Sequence, residues 1–137
     1  MRTLIIAAAV ACATAAVLAQ ASKTYKGLEM SVAGVERAPT AKLLDCPPST
    51  NTVTAQSRGA EEFVIVNVKF KVLPDFKPMP LNRAKATDMS GKSYTTSIAF
   101  VDVGKVPDFS CAIPFRVPTG TKLKSVQVET ASLDLPQ

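Results

Sequence analysis

Residues 62–73 carry apolar side chains at every second position, and this feature restricts the fold more than any other. One face of the run is continuously apolar: Val64, Val66, Val68, Phe70 and Val72. The other face begins with Phe63 and Ile65 and then becomes polar. A period of two residues is typical of a β-strand, and branched side chains favour it. One apolar and one mostly polar face indicate an antiparallel sheet that packs on a core by one side only.

Shorter segments with the same period follow one another along the chain, separated by Gly and Pro turn signals. They cover residues 28–37, 81–87, 92–100, 110–117 and 123–129. Gly34 predicts a bulge or bend, and Pro114 predicts an edge strand or a bulge. The tetrapeptide 88–91 begins with Asp and ends with Gly, as a β-turn does, and therefore predicts a hairpin. About six or seven strands predict an all-β, immunoglobulin-like antiparallel β-sandwich or, less favourably, a small barrel.

The N-terminus has the organisation of a secretory signal peptide. Arg2 precedes an apolar or small run over residues 4–18, and Ala19-Gln20-Ala21 has the small residues of a cleavage site. We predict cleavage after Ala21, which leaves one domain over residues 22–137 without a transmembrane anchor. An uncleaved anchor is the alternative, and a lipid-modified Cys12 is disfavoured because too few apolar residues precede it. The mature protein is thus predicted to be secreted or periplasmic.

Two of the three cysteines remain after cleavage, Cys46 and Cys111. An even number of cysteines in a small exported domain predicts one disulfide. A redox-active pair would need closely spaced cysteines at a helix N-terminus, which this sequence lacks. Cys46 lies in residues 38–60, which have no periodicity and are predicted to be a loop that the disulfide holds in place.

The composition argues against most catalytic chemistry. The chain has no His, which removes the commonest general base and zinc ligand. Glu61 and Glu62 are adjacent in a strand and should point to opposite faces. Asp102 and Asp108 could ligate Ca²⁺ only with more oxygens than their loop supplies. We therefore predict a non-enzymatic protein without cofactor or metal.

Two further binding modes are disfavoured by the sequence. The methionines could in principle hold Cu(I), but their spacing favours packing instead; they are Met30, Met79 and Met89. Cleavage removes Arg2 and leaves 15 Lys+Arg against 11 Asp+Glu, a charge of +4. The cations are scattered rather than clustered, so nucleic-acid binding is not expected.

The Pro-rich segment 74–80 is the most distinctive surface element of the sequence. Phe76 and Met79 within it could offer adaptable apolar contacts to a protein partner or an envelope component. The alternative, which the sequence favours, is that both side chains close one end of the sandwich.

Four segments together resemble a family of bacterial exported immunoglobulin-like domains. They are residues 28–32, residues 63–68, Asp88-x-x-Gly91-Lys92-x-Tyr94 and residues 115–118. The family includes a secreted mycobacterial immunoprotective antigen and small lipoproteins of unknown function. The resemblance implies the sandwich fold and an exported location, and it implies no catalytic residues. We expect a domain that binds another macromolecule in the envelope or outside the cell. The alternatives are a small inhibitor of an exported hydrolase and a periplasmic carrier of a metal or ligand.

Overall fold

The computed structural model describes residues 21–49 and 52–137, so the predicted signal peptide lies outside the described residues apart from Ala21. The described residues form strands and no helix, and therefore contain no helix that could cross a membrane. The strands are β1 (Lys23–Tyr25), β2 (Leu28–Ala38), β3 (Thr40–Leu43), β4 (Val53–Gln56), β5 (Glu61–Val72), β6 (Lys85–Asp88), β7 (Ser93–Thr95), β8 (Asp108–Pro118), β9 (Leu123–Val128) and β10 (Ala131–Asp134).

Two four-stranded antiparallel sheets pack face to face and form the sandwich that the sequence predicts. The first has the strand order β1-β2-β5-β8 and the second β10-β9-β6-β7. Strands β2, β5 and β8 occupy the places of A, B and E in an immunoglobulin domain. Strands β10, β9, β6 and β7 correspond to G, F, C and C′, and β1 is added at the edge of the first sheet.

Strand β5 is the centre of the first sheet because it pairs along its length with β2 on one side and β8 on the other. Its alternating apolar face lies in the core as predicted: Val64, Val66, Val68 and Phe70 are each at most 2% exposed. The opposing sheet contributes Val126, Val128 and Leu133, which are also fully buried. The period of two therefore becomes a continuous core between the sheets.

Both predicted irregularities of the first sheet are present. The register of β2 against β5 shifts between Val32 and Gly34, so a bulge absorbs one residue and Val35 faces Val66. Without that extra residue Val35 would point away from the core. Pro114 lies in β8, which is the edge strand. The Pro114 carbonyl points away from the sheet and accepts a hydrogen bond from the Thr96 hydroxyl. An edge strand tolerates the missing N–H of proline because no neighbouring strand needs it on that side.

The prediction that residues 38–60 form a loop is wrong. Strands β3 and β4 pair as an antiparallel hairpin within this stretch. Ala41 and Phe63 are both buried but lie outside the main core, on the outer side of the first sheet where the hairpin packs. Arg116 fixes the hairpin by donating to the Gln56 carbonyl at 3.0 Å while lying over the Phe63 ring. Strands β3 and β4 are short and consist mostly of small or polar residues, so the sequence shows no clear alternation of apolar and polar positions there.

Several strand boundaries also differ from those predicted. The return strand of the 81–100 hairpin covers only β7, because the chain turns at Thr96 toward β8. The predicted count of six or seven strands omits β1, the β3–β4 hairpin and β10. Strand β10 follows a tight turn at Glu129, which adopts a positive φ of 52°. Such a φ is uncommon for glutamate, so the residue type does not predict this turn.

Candidate binding site at one end of the sandwich

The two residues predicted as partner contacts are packed against the core. Phe76 is 9% exposed, and Met79 is partly buried. Phe76 lies against two glycine turns: a Cβ at Gly27 would meet its backbone nitrogen at 2.7 Å, and one at Gly104 would meet its ring at 3.1 Å. These side chains therefore close the end of the core, as the alternative prediction has it, and offer little free surface to a partner.

The predicted disulfide joins Cys46 to Cys111, whose Cα atoms are 5.8 Å apart. Both cysteines are buried, with 1% and 3% exposure. Cys46 also exchanges backbone hydrogen bonds with residues 99 and 101, and it pairs with Phe100 in a parallel bridge. The disulfide joins the segment after β3 to the edge strand β8, and the backbone hydrogen bonds of Cys46 add the chain leaving β7.

The acidic residues weighed as metal ligands are placed separately. Asp102 forms an exposed ion pair with Lys105 at 3.1 Å, and Asp108 lies opposite Lys71 in the sheet. Met30 is buried in the core, whereas Met89 is exposed. Among the residues that the structure describes, no group of three or more His, Cys, Asp or Glu side chains could hold a metal ion.

The end of the sandwich opposite Phe76 is joined by hydrogen bonds between strands and turns. Arg37 on β2 donates both to the Glu62 carboxylate on β5 and to the Thr121 carbonyl in the β8–β9 turn. The same carboxylate accepts a hydrogen bond from the Gly120 backbone N–H at 2.9 Å. Glu61 instead pairs with Arg116 on the outer side of the sheet, so the two adjacent glutamates lie on opposite faces as predicted.

A second cluster at this end fixes the turn between β6 and β7. The Asp88 carboxylate, in a residue only 8% exposed, accepts hydrogen bonds from the Ser90 N–H, the Ser90 hydroxyl, the Lys92 N–H and the Tyr94 hydroxyl. The four donor–acceptor distances lie between 2.7 and 3.1 Å. Gly91 closes the turn with a φ of 90° and an N–H bond to the Asp88 carbonyl. The predicted Asp-to-Gly turn is therefore present and rigidly held.

Hydrogen bonds and burial shift the pKa of three groups at this end of the sandwich. The Gly120 N–H, with Arg37, lowers the pKa of Glu62. The Ser90 hydroxyl and the neighbouring donors lower the pKa of Asp88, although burial opposes them. Burial, and then the Asp88 carboxylate, raise the pKa of Tyr94. At neutral pH both carboxylates are charged and accept hydrogen bonds from their own domain, so their chemistry here is to hold turns.

Met89 projects from the turn that Asp88 holds. It is 60% exposed, and its backbone N–H donates to the Lys122 carbonyl at 3.1 Å, so the β6–β7 and β8–β9 turns touch at this point. Lys92 follows in the same turn, with its ammonium 5.3 Å from the centre of the Tyr94 ring. Lys124 lies just beyond Lys122. We refer to Met89, Lys92, Lys122 and Lys124 as the Met89 face.

A cleft of about 510 Å³ opens between the two sheets beside this face. It exists because β1 pairs with β2 only as far as Met30, which leaves the rest of that edge of β2 without a neighbour. Its walls include Val35, Leu123 and Leu135, and Arg37 and Lys122 line it as well. The apolar walls are largely buried already, so the cleft offers a ligand little new apolar contact.

Sequence reasoning located the Met89 turn without recognising its surface. The sequence pattern suggests Met89 only for packing or for a soft metal. It offers Phe76 and Met79 as possible partner contacts, while favouring their packing at the opposite end. The Asp-x-x-Gly spacing indicated that Met89 occupies a turn, where an apolar side chain is exposed unless another element covers it. The exposure of Met89 could thus be inferred from the sequence, but the approach of Lys122 from a distant turn could not.

Comparison of the chain with protein-family models, with curated proteins and with solved structures found no match. The resemblance to exported bacterial immunoglobulin-like domains remains a prediction from the four segments that suggested it.

Proposed function

We propose that this protein is an exported, non-enzymatic immunoglobulin-like domain that binds a component of the envelope or a macromolecule of the extracellular medium. The binding surface is the end of the sandwich that carries the Met89 face. The buried disulfide and the predicted signal peptide support an exported location, since disulfides persist in oxidising compartments.

The observation that carries the proposal is an exposed methionine on a rigid turn. Met89 is 60% exposed although the turn beneath it is fixed by hydrogen bonds to the Asp88 carboxylate. Methionine adapts its shape to a partner, and it is enriched at interfaces. A rigid turn loses little conformational freedom on binding, so more of the contact energy remains as affinity.

The arrangement of polar groups supports a binding role over a catalytic one. The Asp88 carboxylate accepts four hydrogen bonds from its own turn, and the Glu62 carboxylate accepts two, from Arg37 and Gly120. A general base works best with a pKa near the working pH, and the lowered pKa of each carboxylate makes it a weak base at neutral pH.

Site-specific photocrosslinking tests the proposal. A photoreactive amino acid at position 89 is compared with the same group at exposed position 77, at the opposite end of the sandwich. We expect position 89 to give a discrete crosslinked product in the native envelope or medium, and position 77 to give none. Crosslinking from 77 alone, or from neither position, would refute the assigned surface. A product with the active site of an exported hydrolase would identify the domain as an inhibitor.

A further inference from the structure

We propose that the Met89 face docks on an anionic lipid surface, with the thioether of Met89 entering the headgroup region and the lysines facing the lipid charges. This inference rests on the proposed function and names the class of its partner.

The charges of the Met89 face are not neutralised by ion pairs within the domain. The described residues form ion pairs only between Arg37 and Glu62, between Lys105 and Asp102, and between Arg116 and Glu61. Lys92, Lys122 and Lys124 belong to none of these pairs, and each is exposed. Their ammonium groups are therefore free to meet charges outside the protein.

Acidic groups near the face only partly offset these lysines. Asp88 is buried under its own turn, with its carboxylate directed at Ser90 and Tyr94. Glu62 is paired with Arg37. Asp134 is exposed on β10, where it pairs with Ser125 of β9. It therefore lies one strand away from the turns that meet at Met89. The exposed charge closest to Met89 along the backbone is thus positive.

The residue types favour lipid over protein as the partner. Protein interfaces are enriched in arginine and depleted of lysine, whereas all three cations of this face are lysines. A lysine ammonium is a mobile point charge that attracts anionic headgroups without fixed geometry, while its alkyl stem follows the apolar region. A single flexible apolar side chain on turns that also carry such cations fits a fluid, negatively charged surface.

Vesicle sedimentation with residues 22–137 in the oxidised state tests the inference. This segment contains every described strand and the whole described core, and it avoids the apolar run before it. The probes are vesicles of phosphatidylcholine alone and vesicles with equal amounts of phosphatidylcholine and phosphatidylglycerol. We expect sedimentation with the anionic vesicles only, and its loss when the salt concentration is raised about tenfold.

Two double variants separate this face from the general positive charge of the domain. K92Q/K122Q should weaken binding to anionic vesicles by about fivefold for each lysine removed. K69Q/K77Q removes the same charge elsewhere and should leave binding almost unchanged. M89S should weaken binding severalfold without changing its salt dependence. Circular dichroism of each variant confirms that the sandwich is intact.

The outcomes distinguish this inference from the proposed function. Equal binding to both vesicle types, no binding, or equal losses in the two double variants would overturn lipid docking. If position 89 nevertheless crosslinks to a protein, the proposed function stands with a protein partner. If position 89 gives no product and the vesicles are not bound, both proposals fail.

Discussion

Replacing Phe76 by alanine tests the assignment of this residue to the core instead of to a contact surface. Phe76 is 9% exposed, and its ring lies against the turn at Gly104. Truncation of a buried Phe typically costs about 3–5 kcal/mol, and the cost falls where the surroundings collapse into the space. Because Phe76 lies at the end of the core under a loop, we expect the lower value, about 3 kcal/mol of unfolding free energy.

Chemical denaturation followed by circular dichroism measures this change, since the chain has no Trp to report unfolding by fluorescence. The melting temperature should fall by about 10 °C. Met89→Ala is the matched control and should change stability by less than about 0.5 kcal/mol, because Met89 is mostly exposed. A loss below about 1 kcal/mol for Phe76→Ala, or an equal loss for Met89→Ala, would refute the assignment of these two ends.

Three further predictions concern other parts of the structure. Gly27→Ala should lower the unfolding free energy by more than about 2 kcal/mol, because Gly27 has a positive φ of 84° and the new Cβ would lie 2.7 Å from a backbone nitrogen. Gly59→Ala is the control in the same denaturation assay and should cost only about 1 kcal/mol, because the space around Gly59 is open. Replacing Cys46 and Cys111 together by alanine should lower the unfolding free energy by about 4 kcal/mol, because the disulfide closes a loop with a sequence separation of 65; unchanged stability would contradict this estimate. Because folding lowers the pKa of Glu62, the charged carboxylate stabilises the fold above its ordinary pKa of 4.5, and this stabilisation is lost as the pH falls through the pKa of the folded state. The melting temperature of Glu62→Gln should therefore decline less steeply below pH 4.5 than that of the parent protein.

The core of the first sheet was predictable because its signal is local. In β5 the inward and outward residues alternate along one strand, so the face that packs can be read from neighbouring positions. Gly34 and Pro114 were equally informative, since each has a backbone property that a regular central strand does not accommodate. The turn from Asp88 to Gly91 follows for the same reason.

The β3–β4 hairpin was missed because its stability depends on distant residues. Ala41 is buried, but a lone alanine in a polar segment does not indicate a strand. Its hairpin is held by Phe63 and Arg116, which lie on two other strands. Because these contacts come from other strands, they produce no alternating pattern in the sequence of the hairpin.

The amino-acid sequence by itself determined the all-β class, the apolar face of β5, the bulge at Gly34 and the pairing of the two cysteines left after the predicted cleavage, because each depends on residue type and short-range spacing. Only the tertiary structure decided that Phe76 belongs to the core while Met89 is exposed, although the sequence places both residues outside the regular strands. Burial of a residue between strands depends on which other elements fold over it. Two glycine turns close over Phe76, whereas Lys122 accepts a backbone hydrogen bond from Met89 and the Met89 side chain stays 60% exposed. That difference is set by strand order, which chain-local patterns do not encode.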